Sequence, residues 1–415
     1  MARRSELWRN HDYVGWLAGQ TLSALGTSLS TFAYPLLILF ETGSAAQTAI
    51  VAAAANIGSL LTLLVGGVVA DRYSRRLVLI CGALLQAVVV GSVGVAVLAG
   101  HVLLVHVALA GLLDGAVVGV TIGAERATLR RVVPAADYAD ATSQMWGRDM
   151  ALRVIGPPLA GVLFSVARWL PFLADAASYT AAVLGVTSVR RPLGPDPDET
   201  REQETLRHSV AVGIRFLRGH AYLRFTAWWS AVMNMLAGGL TLLVVLLVRS
   251  EGGDARVIGG VQALAMSGAL IGALASSRVL RHLGGRLMVV ALSWSLGLAC
   301  FAMAAVGSPW GIGAIQAVVL LVIVPVNVVM ETYEMQIIPD ALVGRVSTTI
   351  TLAANGLRWT APLVVGFVVE ATSPKVAMVI WGGALLVVAA LVQVNRSLRL
   401  LDQPVETVAA AAAVS

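Results

Sequence analysis

Apolar runs long enough to cross a membrane recur along the whole chain. The sequence is 58% hydrophobic and only 13% charged, so a soluble domain of this length would have too few charges to cover its apolar surface. A helix needs about 20 residues to span the hydrocarbon core. Twelve such stretches are predicted, at 13–40, 47–70, 77–99, 102–124, 142–167, 170–189, 221–248, 255–279, 286–306, 309–330, 345–370 and 374–395. The chain is therefore predicted to be an all-α membrane protein with twelve transmembrane helices.

Two segments 205 positions apart carry the same unusual residues in the same order. The matched pairs are Leu152 with Leu357, Arg153 with Arg358, Pro157 with Pro362, Gly161 with Gly366, and Pro134 with Pro339. Arginine and proline are both unfavourable inside an apolar helix, so chance seldom repeats them together. The alternative is a coincidence of two arginine-bearing helix ends. The repeat predicts two pseudo-symmetric six-helix halves, which is how many secondary transporters are built.

A polar segment is predicted to join the halves. The predicted parts are an N-terminal half (1–190), a cytoplasmic linker (191–220), a C-terminal half (221–399) and a disordered, low-complexity tail (400–415). The linker ends in an amphipathic pattern, and we expect Val212, Phe216 and Leu217 to lie on the membrane surface. The first span is too long for a signal peptide and lacks a cleavage site, so it is expected to remain as a helix.

The distribution of basic residues predicts the orientation. If both termini are cytoplasmic, the opposite face holds only 4 of the 29 Lys and Arg residues, namely Arg168, Arg249, Arg256 and Lys375. This agrees with the positive-inside bias, so we predict a multi-pass protein of the inner (plasma) membrane. The net charge of +6 comes from short clusters between spans, which favours membrane orientation over nucleic-acid binding.

Other classes of site find little support in the sequence. Cys81 and Cys300 both lie in apolar runs, which argues against a disulfide framework. The six histidines have no metal-ligand spacing, and the chain has neither a nucleotide-binding loop nor a nucleophile elbow. We therefore predict no metal, no cofactor and no catalytic residue, and a protein that is not an enzyme.

The segment GGVVADRYSRR, residues 66–76, packs one carboxylate and three guanidinium groups into a short turn between helices. Asp71 can stabilise the N-terminus of a neighbouring helix, and an arginine can reach an acid such as Glu125. The alternative is a plain positive-inside loop. The segment resembles the loop signature of the major facilitator superfamily, with Ser74 in place of the usual glycine. That resemblance implies gating roles for a set of charged residues, which are Asp71, Arg72, Arg75, Arg76 and Glu125.

The segment RVIGPPLAG, residues 153–161, is similar to the glycine-proline signature of the superfamily's drug and proton antiporters. Its glycines allow close backbone approach and its prolines remove hydrogen-bond donors. We therefore expect Gly156, Pro157, Pro158 and Gly161 to bend the helix. Further stretches, LWRNHDYVGWLAGQTLSALGTSLSTFAYPLLILFETGSA and IIPDALVGRVSTT among them, resemble the enterobactin and macrolide exporters over nearly the whole chain. Those exporters often have an acid in the first helix where this chain has Thr27.

Three charged residues are candidates for coupling transport to proton movement. Asp114 lies in the middle of the fourth span, where a carboxylate must be protonated or paired. Asp149 and Arg153 are four residues apart and are expected to form a partly buried pair. The alternatives are a helix-holding pair and, for Asp114, a polar contact beside the glycine stripe at Gly111, Gly115, Gly119 and Gly123, which favours tight helix packing. Asp175 is expected to be structural and within reach of water.

Polar side chains inside spans are expected to point into a mostly apolar substrate cavity, because facing lipid is unfavourable. The predicted cavity residues are Gln20, Tyr34, Asn56, Asn234, Gln262, Asn327 and Arg358; Gln316, Met233 and Met235 are further candidates. Trp228 and Trp229 can serve a bulky ligand or an interfacial belt, and we favour the belt.

These patterns together predict a secondary active exporter of an amphipathic small molecule such as a drug, siderophore or other secondary metabolite. It is expected to work as a monomer, by proton antiport and alternating access, with protons, the substrate and the bilayer as its partners. An exporter-like lipid flippase and a non-transporting ligand sensor of the same fold remain as alternatives.

Overall fold

The computed structural model describes residues 7–194, 206–282, 284–339 and 342–403. In this part of the chain the secondary structure is helical. The helices are α1 (His11–Thr42), α2 (Ala45–Arg72), α3 (Arg75–Leu98), α4 (Leu104–Val132), α5 (Tyr138–Val166), α6 (Leu170–Ser188), α7 (Leu206–Gly219), α8 (Ala221–Ser250), α9 (Ala255–His282), α10 (Gly285–Val306), α11 (Pro309–Ile337), α12 (Val343–Gly356), α13 (Thr360–Ala371) and α14 (Pro374–Val394). Short 3-10 turns cover Ala135–Asp137 and Arg396–Asp402.

Twelve candidate membrane spans are present among the described residues, as the sequence predicts. The eleventh combines α12 and α13. Every predicted span coincides with one of them, and the largest differences are at the ends of α4 and α11, which continue to Val132 and Ile337. These helices extend into polar sequence, because apolarity marks the membrane crossing and not the helix end. The residue before each repeated proline, Val133 or Ile338, is extended, as steric contact with a following proline requires.

The described chain divides into two compact units. The first comprises Met1–Arg201 and Asp254–Ala263, and the second comprises Glu202–Gly253 and Leu264–Ser415. The predicted halves differ from this division in one respect, since the start of α9 groups with the first unit. The predicted linker includes residues 195–205 and the predicted tail includes residues 404–415, both outside the described residues. Residues 400–402 belong to the last 3-10 turn.

The amphipathic helix α7 packs on protein. Leu217 is buried, and a Cβ built on Gly213 would overlap Thr349 and the Arg345 carbonyl oxygen in α12. The prediction that Leu217 lies on the membrane surface is wrong, because the neighbouring helix covers this side of α7. Val212 and Phe216 are half-buried.

Glycines bring helix backbones into direct contact. A Cβ built on Gly115 would overlap the Ala55 carbonyl oxygen of α2, and one on Gly119 would overlap Thr62 and the Ser59 carbonyl oxygen. The Thr62 hydroxyl also donates to the Ala116 carbonyl oxygen at 2.7 Å. The predicted tight packing along the α4 glycine stripe is confirmed at these two positions. Such contacts hold membrane helices together where lipid is as apolar as the side chains.

Gly115→Ala should destabilise the protein by about 1–3 kcal/mol, because the added methyl group has no space against α2. Gly111→Ala, one turn earlier, is the matched control. Its Cβ would be at ordinary contact distance, 3.8 Å from the Val51 carbonyl oxygen, and alanine favours helix by up to about 1 kcal/mol. Thermal unfolding in detergent measures both variants. Equal melting temperatures would contradict the role of Gly115 in packing.

Candidate functional site

The α4 helix carries a buried carboxylate in the first unit. Asp114 is 5% exposed. Its Oδ1 accepts a hydrogen bond of 2.8 Å from Gln86 Nε2 in α3, and it also contacts the Tyr179 hydroxyl of α6. Asp114 is thus held by polar side chains from two neighbouring helices. The sequence predicts its depth correctly, but not these partners.

A second carboxylate, Asp175 of α6, is completely buried. Its Oδ2 accepts a hydrogen bond of 2.5 Å from the Ser30 hydroxyl of α1 and lies 3.5 Å from the Tyr179 hydroxyl. The Ser178 hydroxyl lies 3.3 Å from its Oδ1. The expectation that water reaches Asp175 is wrong, because α1 packs directly over it.

Gly26 allows this packing. A Cβ built on Gly26 would overlap the Ser178 hydroxyl and lie 2.6 Å from Asp175 Oδ1. The next residue, Thr27, has its hydroxyl 3.1 Å from the Tyr179 hydroxyl. Thr27 therefore contacts Tyr179, whose hydroxyl lies 3.5 Å from Asp175 Oδ2.

Tyr34 adds a second buried phenol. Its side chain is 3% exposed, packs edge-on against Phe172 with ring centroids 5.2 Å apart, and interacts electrostatically with Asp114 and Asp175. Its hydroxyl has no hydrogen-bond partner among the described residues. Tyr34, predicted as a cavity residue, instead belongs to the carboxylate cluster.

A pocket of about 230 Å³ lies beside this cluster in the first unit. Its polar lining includes Gln20, Thr27, Gln86, Thr121 and Tyr179, and its apolar lining includes leucine, valine, isoleucine and alanine side chains. Gln20, a predicted cavity residue, lines this pocket, and its role in binding a substrate stays a prediction. Three lining residues lie between the pocket and the buried acids. Gln86 and Tyr179 bind Asp114 and Asp175, and Thr27 contacts Tyr179.

Glu125 and Arg148 also line this pocket. The charged neighbours of Glu125 are Arg126, Arg148 and Asp149. Arg148 Nη2 binds Asp149 Oδ1 at 2.7 Å, and the Asp149 side chain is 53% exposed. The prediction of a partly buried pair between Asp149 and Arg153 is wrong, because Asp149 pairs with the adjacent Arg148 and Arg153 is exposed.

The loop arginines contact the backbone that follows α6. Arg75 is 4% exposed. Its Nη1 donates to the Gly194 carbonyl oxygen at 3.1 Å, and its backbone N–H donates to the Leu193 carbonyl oxygen at 2.9 Å. Arg76 Nη2 donates to the Val189 carbonyl oxygen. Arg72 is exposed, and the side chain of Asp71 lies outside the described residues. These contacts hold the start of α3 against the chain that leaves α6, whereas the charged neighbours of Glu125 lie on α4 and α5.

The glycine-proline segment forms a close helix crossing. α5 continues through Pro157 and Pro158. A Cβ on Gly156 would overlap the Ser28 side chain, and one on Gly161 would overlap the Ala255 carbonyl oxygen at the start of α9. The segment therefore serves close backbone contact in this structure, and its bending role stays a prediction.

The second unit has a pocket of about 120 Å³. Two predicted cavity residues, Asn234 and Asn327, line it together with Met233 and Trp229. Trp229 is buried, so its assignment to an interfacial belt is wrong, because neighbouring helices enclose its ring. Trp228 is partly exposed.

The remaining predicted cavity residues do not line either pocket. Asn56 donates to the Ala52 carbonyl oxygen of its own helix at 2.8 Å, and Gln262 is buried in α9. Arg358 is exposed and lies in the three-residue break between α12 and α13. Pro362 has no N–H for the Arg358 carbonyl, and Gly356 favours helix termination. The first copy of the repeat has Ala151 at the matching position, and α5 is continuous there.

Comparison with known proteins identifies the family. The sequence profile of the Major Facilitator Superfamily matches residues 16–359. The chain belongs to this superfamily. Membership agrees with the twelve spans and indicates a multi-pass membrane transporter.

The chain is similar to multidrug efflux pumps called Tap. The pump of Mycolicibacterium fortuitum is 26% identical over 352 residues, which cover 80% of this chain and 83% of that protein. The pump of Mycobacterium bovis (strain BCG / Pasteur 1173P2) is 26% identical over 358 residues, which cover 82% and 84%. The finer resemblance to enterobactin and macrolide exporters stays a prediction.

Solved structures show the same fold. A bacterial homologue of the iron transporter ferroportin, in an inward-facing state, has a TM-score of 0.72 at 19% identity and covers 94% of this chain and 99% of that chain. The nucleoside transporter NupG has a TM-score of 0.70 at 15% identity and covers 91% and 98%. Among the described residues, no group of three or more His, Cys, Asp or Glu side chains that could hold a metal ion is present.

The sequence does not predict Tyr179, Ser30 and Ser178 as neighbours of a buried acid, and it predicts Asp175 only as a structural residue. One signal was available, since an acid within a membrane span is by default a candidate functional residue. The glycines of α1 were a second signal, because small residues mark the helix face against which another helix packs.

Gly26→Ala should lower both the melting temperature and transport in this superfamily member, because its methyl group displaces Asp175 and Ser178 from α1. Gly91→Ala is the control. Its Cβ would meet Ala176, the neighbour of Asp175, at an ordinary 3.4 Å. Melting temperature and transport per folded protein are measured together. A Gly26 variant that matches the control in both would refute the close contact.

Proposed function

We propose that the protein exports an amphipathic small molecule by exchanging it for protons. The observation that carries this proposal is Asp114, a carboxylate buried in a membrane helix and separated from a pocket only by side chains such as Gln86 and Tyr179. A buried carboxylate in a transporter can take up a proton from one side and release it to the other. Similarity to multidrug efflux pumps supports export and a drug-like substrate.

The pocket chemistry supports an amphipathic ligand. In the first unit, Gln20, Thr27 and Thr121 offer hydrogen bonds and Glu125 and Arg148 offer charges, beside leucine, valine, isoleucine and alanine side chains. In the second unit, Asn234 and Asn327 offer amides beside the flat ring of Trp229. Polar groups set among apolar side chains suit a ligand of mixed character. A drug or another secondary metabolite, including a siderophore, fits this description.

Asp114→Asn should abolish uphill efflux while leaving substrate counterflow largely intact. The amide resembles a permanently protonated carboxyl group, so the substrate still binds and exchanges, but no proton is carried. If Asp114 only supports packing, both activities should instead fall in proportion to folded protein, because a lost polar partner destabilises every state.

Both activities are measured in proteoliposomes with an imposed pH gradient and normalised to folded protein. Asp140→Asn is the matched control, because Asp140 is an exposed carboxylate in the first turn of α5. Uphill efflux in the Asp114 variant equal to that of the parent would sink the coupling role. Transfer of labelled phospholipid with no drug efflux would identify a flippase, and binding without any transport would identify a sensor.

The loop between α2 and α3 is proposed as a gate. Asp71→Asn should leave the protein inserted but shift it toward inward-facing states, because the loop loses the carboxylate that balances its arginines. A change of a few kcal/mol between two states is enough to alter their populations greatly. Accessibility of single cysteines on the two faces measures the shift. Unchanged accessibility together with unchanged transport would remove the gating role.

A further inference from the structure

The Tyr179 hydroxyl joins two buried carboxylates that come from different helices. It lies 3.5 Å from Asp175 Oδ2 on its own helix α6 and interacts electrostatically with Asp114 of α4. The other partners of the pair are Gln86 from α3 and Ser30 from α1, with Ser178 beside Asp175. Asp114 and Asp175 also interact electrostatically with each other. In the described part of the chain, no arginine or lysine is among these neighbours.

A pair of buried carboxylates is most stable when it holds one proton. Two neighbouring carboxylates that are both ionised in a low-dielectric interior repel each other and lose their hydration. Hydroxyl and amide donors compensate only in part. A single proton held by the pair removes the repulsion, and it remains exchangeable because either acid can bind it.

The Tyr34 hydroxyl is a further possible donor to the pair. A buried hydroxyl without a partner is unfavourable. Tyr34 is buried beside both acids, yet its hydroxyl has no partner among the described residues. Once a proton leaves the pair, the bare carboxylate needs a donor, and Tyr34 is placed to supply it.

A hydroxyl chain connects the pocket to the pair. Thr27 and Tyr179 line the pocket, their hydroxyls are 3.1 Å apart, and Tyr179 reaches both acids. Neither Asp114 nor Asp175 lines the pocket. A proton can therefore reach them through Tyr179 without water entering the cluster.

We propose that Asp114 and Asp175 together form one proton-binding site, and that Tyr179 relays the proton between this site and the pocket. The inference rests on the proposed proton antiport and adds the second acid, the stoichiometry of one proton per pair and the route. In the transfer, Tyr179 Oη accepts a proton from the pocket side while its own hydroxyl proton moves to a carboxylate oxygen. Tyr179 ends unchanged and the pair gains one proton.

Uphill efflux driven by a pH gradient tests the route in proteoliposomes. Tyr179→Phe should keep the fold and equilibrium substrate binding, but slow uphill efflux by on the order of tenfold or more. Tyr13→Phe is the matched control, because Tyr13 is also buried and its hydroxyl bonds instead to Gln144 at 3.0 Å. If the parent shows no pH-driven efflux, or a sodium gradient alone drives it, the proposed function itself fails. If the parent is active and Tyr179→Phe equals Tyr13→Phe, only the relay fails.

Proton release on substrate binding tests the shared site separately from transport. It is measured with a pH indicator in weakly buffered detergent solution, using a substrate that the parent exports. Asp114→Asn, Asp175→Asn and the double variant should each abolish the release, because the pair holds its proton to relieve the repulsion between two carboxylates, and the single acid that remains has no charged neighbour to repel. Folded protein is quantified for each, and Ser30→Ala is a milder variant that keeps both acids and should reduce the release less. Release from Asp175→Asn equal to that of the parent, or losses that add in the double variant, would overturn the shared site.

Discussion

Close contact at glycines determines how near the helices of this molecule can approach one another. Helices surrounded by lipid gain little from burying apolar side chains against one another, so close van der Waals packing and interhelical hydrogen bonds must hold them. Gly115 and Gly119 seat α4 against α2, and Gly26 seats α6 against α1. The second contact brings Ser30 within 2.5 Å of Asp175. A larger residue at position 26 would separate Ser30 from Asp175, so this hydrogen bond depends on the glycine.

The sequence predicts most of the helices, because a helix that crosses a bilayer must be apolar over a known length. It also predicts the glycine stripe and the depth of Asp114, since both follow from spacing along one helix. It does not predict contacts that need the rotation of two helices about their axes. The Asp149–Arg153 pair illustrates this limit, because a spacing of four residues permits the contact but leaves open the adjacent Arg148. Trp229 is similar, since a tryptophan near the start of a span suits a belt or a pocket equally well.

The duplicated residues keep some roles and change others. Pro134 and Pro339 each follow an extended residue at the end of a long helix, so the two prolines have the same structural role in both copies of the repeat. Arg153 and Arg358 differ, because α5 is continuous through Arg153, whereas Arg358 lies in the break between α12 and α13. The pockets also differ in chemistry. The first pocket combines hydroxyls, two amides, a carboxylate and a guanidinium group, whereas the second has a hydroxyl, amides and an indole.

Thr27, Gln86 and Tyr179 each belong both to the wall of the first pocket and to the surroundings of the buried acids. A mutation that reshapes this wall to admit a new compound therefore also disturbs the acids. No lining residue of the pocket formed by Asn234, Asn327 and Trp229 is an acid or one of the partners of Asp114 and Asp175 named above. Substitutions that line the second pocket are thus expected to be tolerated more readily than substitutions that line the first.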